Sequence, residues 1–126
     1  MGFVSTRLQQ VHPDVSAWFR SHSSDRQAAL ARRAAEQSVE STGQSVPSGD
    51  VDLVEWAEEV DARGWSSDAA GEPRQDETDF ARARAAFALR DALTAGSRTE
   101  ALEDSLYESI AALGLDAVQD LLGRIP

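Results

Sequence analysis

Apolar residues recur along this chain at the spacing of a helix, and no segment alternates at the spacing of a strand, so the pattern predicts an all-α fold without a sheet. Leu8, Val11, Val15, Trp18 and Phe19 share one face, interrupted by Pro13. A proline ring suits the first helical position, so the first helix is expected to start there. Ser24 with Gln27 has the form of a capping box and opens a second helix, whose apolar face is Leu30, Ala31, Ala34, Ala35 and Val39. Gly43 is placed to close it in the left-handed conformation. A third helix is expected from about residues 48–50 to Gly64, with Leu53, Trp56, Ala57 and Val60 on one stripe.

From Trp65 to Glu77 the text WSSDAAGEPRQDE has turn formers, charge and no apolar period, and reads as a long surface loop over about 64–77. The next helix differs from its neighbours. Phe80, Ala83 and Phe87 face one way, while Ala86, Leu89 and Leu93 face nearly the other, which places a two-sided, Ala-rich helix (about 80–95) at the centre of the bundle. Ser97 with Glu100 offers another capping box, followed by the cleanest stripe in the chain, Leu102, Leu106, Ile110 and Leu113. Gly114 ends that helix, and a short last one with Val118, Leu121, Leu122 and Ile125 covers the open end of the core. The expectation is one domain over residues 1–126, a compact bundle of five to six helices.

Composition narrows the chemistry. The chain has no cysteine, which removes disulfides, thiolate metal sites and thiol nucleophiles. No stretch approaches the roughly 18 apolar residues of a membrane span, and the start lacks the basic-then-apolar order of a secretory signal, so the expected setting is the cytoplasm. Residues 1–33 carry a formal charge of +3 and the remainder −13, within a net charge of −10. A surface of that sign repels nucleic acid and anionic lipid and steers basic partners towards itself. All twelve basic residues are Arg, which with the abundant Ala fits a GC-rich bacterial genome.

Motifs for catalysis are scarce. His12 and His22 flank the first helix instead of sharing a turn, so zinc-protease and di-iron spacings are absent. Asp50, Asp52 and Glu55 imitate part of a calcium loop but lack its central glycine. No serine sits in a nucleophile elbow, and the glycines stand singly at helix ends, so neither a P-loop nor a dinucleotide fingerprint can be drawn. No cofactor is expected. Arg82, Arg84 and Arg90 project from the central helix and need partners, with Asp79, Asp91 or a carboxylate of the third helix as candidates.

What remains is acidic surface. Turning the Leu102 stripe inward turns Glu100, Asp104, Tyr107 and Ala111 outward, so a tyrosine stands among carboxylates and either anchors an interface or caps the core rim. Glu55, Glu58, Glu59 and Asp61 form a second acidic face that also reads as a solvated helix exterior.

The stretches FARARAAFALRDAL from Phe80 and LEDSLYESIAALG from Leu102 resemble small acidic all-helical immunity proteins of bacterial toxin systems, over residues 80–114. The N-terminal part and the 64–77 loop depart from that pattern, and no residue role carries over. The resemblance implies a non-catalytic protein that binds a cognate toxin and blocks its active site, and the acidic helix faces imply that the toxin domain is basic. The alternatives are an adaptor or homo-oligomeric helical module, and an enzyme with a carboxylate and arginine site.

Overall fold

The computed structural model describes residues 5–49, 51–67 and 73–123. It is an all-helical bundle with seven helices in those residues: α1 (Arg7–Val11), α2 (Pro13–Arg20), α3 (Ser24–Ser41), α4 (Leu53–Gly64), α5 (Glu77–Thr94), α6 (Thr99–Leu113) and α7 (Leu115–Leu122). The count exceeds the expected five to six because the segment before Pro13 is itself a helix. Thr6 and Gln9 close a capping box around the start of α1, and Pro13 then begins α2 at its first turn. Val11, expected on the apolar face, is 55 % exposed because that break turns it outward.

α5 lies at the centre, packed against α3, α4 and α6. Its two apolar sides serve two clusters. Ala85, Ala88, Leu89 and Ala92 join the main core with Phe19, Leu30, Leu102 and Leu106, whereas Ala86 and the half-buried Phe87 meet Ala57 and Val60 of α4. Two residues depart from the predicted pattern: Ala86, expected on the side of Leu89 and Leu93, packs with Phe87 instead, and Phe80 has 45 % of its surface exposed. Val118 and Leu122 of α7 close the main core; Ile125, expected to join them, lies outside the described residues.

The loop expected over 64–77 contains a two-stranded ribbon, which corrects the expectation of no sheet. Strands β1 (Trp65–Ser67) and β2 (Pro73–Gln75) pair antiparallel with Ser66 opposite Arg74. Three residues a side are too few for a periodic signal. The intervening residues 68–72 lie outside the described set.

Helix ends follow local hydrogen-bonding chemistry, with some changes of register. Gly43, at φ +80°, closes α3: its N–H donates to Glu40 C=O, and Gln44 N–H donates to Val39 C=O, the paired bonds of a Schellman motif. Ser23, rather than Ser24, caps α3 by accepting from Arg26 N–H. Gln27 is therefore released from the expected box and is buried, donating to His22 C=O at 2.9 Å and accepting from Thr99 Oγ1 at 2.9 Å. The box expected at Ser97 and Glu100 does not form, because α6 starts later, at Thr99, with Arg98 in the cap position. Asp52 Oδ1 accepts from Val54 and Glu55 N–H, so the carboxylate of the rejected calcium loop caps α4; Asp50 lies outside the described residues.

Candidate functional site

α6 carries the polar chemistry of the molecule on two sides. On one side Glu103 is fully buried and receives three partners from the N-terminal helices. Arg20 donates both Nη2 (2.7 Å) and Nε (3.0 Å) to its two oxygens, Thr6 Oγ1 donates at 3.0 Å, and Ser16 donates through a short hydroxyl bond. Burial pushes this carboxyl up, but the Arg20, Ser16 and Thr6 donors together outweigh it and hold it below the usual glutamate range. This cluster fastens α1 and α2 to α6.

The other side is open. Arg7 from α1, Asp91 from α5, and Asp104, Tyr107 and Glu108 from α6 line a cleft of about 230 Å³. Asp104 and Glu108 stand one turn apart, so two carboxylates face the same space. Glu108 is buried and held by Arg84 Nη1 at 3.2 Å, with Arg7 Nη1 at 3.9 Å. Desolvation nevertheless raises its pKa: Arg84 and Arg7 oppose the rise and Asp91 adds to it. Asp91 is bound by Arg90 at 3.0 Å. Asp104 makes no ion pair within 4 Å among the described residues, and desolvation with repulsion from Asp91 raises its pKa. Tyr107 is half-buried against the main core, with the Arg7 guanidinium 5.9 Å from its ring centre.

Of the residues expected on the acidic surface, Glu55, Glu58, Glu59, Glu100 and Asp104 are exposed, and Asp61 and Tyr107 are half-buried. The structure brings Asp104 and Tyr107 together in the cleft. The α4 carboxylates sit on a helix that packs mainly on α5, and none of them is among the residues that line that cleft. The three central arginines find partners, two as expected: Arg82 lies 3.9 Å from Asp79 and Arg90 binds Asp91. Arg84 instead reaches Glu108 of α6, and its guanidinium lies 4.7 Å from the Phe87 ring centre and 5.4 Å from that of Phe80.

Sequence reasoning missed Glu103 and Glu108. For Glu103 a signal existed: at 100° per residue it falls about 20° from Ile110, at the edge of the apolar stripe. Glu108 has no such signal, because its burial comes from the approach of α5.

His22 Nδ1 lies 2.8 Å from Trp18 C=O and the imidazole stands edge-on to the Trp18 ring, which gives it a local structural role. Among the described residues no group of three or more His, Cys, Asp or Glu is placed to hold a metal ion, and no helix is long and apolar enough to cross a membrane. In comparisons of the whole chain, no family model, no curated protein and no solved structure matches it.

Proposed function

We propose that this chain is a non-catalytic protein-binding module of the immunity type, which neutralises a basic toxin domain in the cytoplasm by receiving a Lys or Arg side chain in the Asp104–Tyr107 cleft. The observation that carries the reading is Asp104. Its carboxylate is partly desolvated, is repelled by Asp91 more than the cleft's own Arg7 attracts it, and makes no ion pair within 4 Å among the described residues. A partner's cation would relieve that repulsion, and Tyr107 beside it offers a ring of the kind that anchors interfaces. The net charge of −10 would speed encounter with a basic surface, making association sensitive to salt. Glu55, Glu58, Glu59 and Asp61 of α4, with Glu100, would act at long range, steering rather than holding.

The direct test is a pull-down with the tagged chain at low and high salt, with mass spectrometry of the retained proteins. One basic protein released by salt supports the reading; a retained set without any basic protein refutes it. With that partner in hand, Tyr107→Ala is expected to weaken binding by about 1 kcal/mol or more, read by calorimetry. Asp104→Asn should separate binding from stability. Because the folded protein holds the Asp104 proton more tightly than the unfolded chain, the charged form costs stability above its folded pKa. Asn removes that cost, so at pH 7 stability should stay level or rise by at most about 0.5 kcal/mol after solvent screening, while binding weakens. A loss of stability would mean that the carboxylate serves the fold.

A second reading, an adaptor or homo-oligomeric module, is favoured by the exposed ring of Phe80. Self-association that persists in high salt, seen by sedimentation, would support it over the first.

A further inference from the structure

Away from the Asp104 cleft, the start of α5 and the end of α6 border two adjoining hollows of about 410 and 480 Å³, the first of them also walled by Ser41, Thr42 and Gly43 at the end of α3. They share Glu77, Ala81 and Ala112 and so form one groove. Its floor is apolar: Phe80, 45 % exposed, with Ala81, Ala112 and Leu113. Asp76 and Glu77 stand at one lip. Asp76 is occupied as the cap of α5, accepting from Asp79 N–H at 2.8 Å, whereas Glu77 is exposed and makes no ion pair within 4 Å among the described residues. The opposite lip is the last turn of α6, which contains no basic residue. A helix end leaves carbonyls without partners inside the helix and a partial negative charge, both of which favour a cation.

We infer that this groove docks an amphipathic basic helix of a protein partner, whose apolar side chains cover Phe80 and whose Lys or Arg side chains reach Glu77 at one lip and the α6 carbonyls at the other. Charge complementarity selects this occupant. An acidic segment would be repelled at both lips, and a purely apolar one would leave the Glu77 charge and the helix-end carbonyls desolvated without donors. The mode is helix-in-groove recognition, with anchors at helical spacing. It rests on the protein-binding reading above, but not on the Asp104 cleft, from which it differs in every lining residue.

The test is a titration of the ¹⁵N-labelled chain with a synthetic amphipathic helical peptide of Leu and Lys at near-physiological salt, followed by amide chemical shifts. Shifts concentrated in residues 76–81 and 111–114 are expected. Phe80→Ser, which alters an exposed position, and Glu77→Lys, which reverses the lip charge, should each weaken the peptide at least tenfold, while Asp104→Asn leaves its affinity within twofold. The inference is overturned if the shifts fall on α4 or on the Asp104 cleft, or if the two groove variants leave affinity unchanged. It is equally overturned if the unliganded chain dimerises and Phe80→Ser abolishes the dimer, since the occupant would then be a second copy. A Tyr107→Ala variant that loses the captured basic protein while the peptide avoids the groove would remove this docking site and leave the proposed function standing.

Discussion

Replacing Glu103 by Ala should lower the unfolding free energy at pH 7 by about 3 kcal/mol, the scale of breaking a buried, hydrogen-bonded charge pair. The glutamate is fully buried, so truncation strands the groups that were built around it. Arg20, whose side chain is partly exposed, can turn into solvent, but Thr6 and Ser16 are buried and their hydroxyls lose their acceptor. Glu103→Gln, which keeps the shape and an acceptor oxygen, should cost less. Urea unfolding of the three proteins measures the order. Equal stability of Glu103→Ala and the parent would mean that the cluster fastens nothing, and that α1 and α2 are held by the apolar packing of Leu8, Val15, Trp18 and Phe19.

The same pair of proteins yields a pH signature. Glu103 has a folded pKa below its unfolded value of 4.5, so its stabilisation is present above pH 4.5 and is lost as pH falls through the folded value. The stability gap between parent and Glu103→Ala should therefore be flat from neutrality to about pH 5 and narrow on further acidification. Glu108 acts in the opposite sense. With a raised folded pKa, it favours folding when protonated, and that contribution disappears as pH rises through the folded value. Taking the difference between the two proteins cancels Glu108 and isolates Glu103. A gap that widened below pH 4.5 would contradict the assignment.

How far this arrangement was legible in the sequence depended on which residues did the burying. Leucine and alanine stripes located α3, α5 and α6, and Gly43 marked the end of α3, because each reports a local preference of the chain. The two-sided pattern of α5 correctly forecast a central helix. The polar side of α6 was less readable. Its apolar stripe identified only the arc that meets the core, whereas its buried arc extends through Ser105, Ser109 and Glu108, where α5 lies alongside, and through Glu103, where α1 and α2 dock. Small and charged residues carry no periodic apolar signal of their own: the position of Glu103 at the edge of the stripe hinted at its burial, but the Ser105, Glu108 and Ser109 arc became visible only when α5 was placed. Asp104 and Tyr107 were found for the opposite reason: they project from the face the stripe leaves outside. That Arg7 would meet them could not be read, since it depends on how α1 folds back onto α6.

The alanines of α5 give the second large effect. Ala88 is fully buried, and the Ser105 hydroxyl of α6 donates to Ala88 C=O at 2.7 Å. A side chain of one helix can reach the backbone of another only where the intervening side chains are short. Leucine at position 88 would add three carbons to filled space, which typically costs 1–3 kcal/mol, and would push Ser105 away from its acceptor, leaving a buried hydroxyl unpaired. Together these should lower the unfolding free energy by about 3 kcal/mol. Leucine is a good helix former, so the loss cannot come from α5 itself, and far-ultraviolet circular dichroism without denaturant should stay helical. Urea unfolding reads the cost. If Ala88→Leu instead unfolds within about 0.5 kcal/mol of the parent, α5 and α6 are not held at close range, and the alanines of α5 serve helix propensity rather than contact.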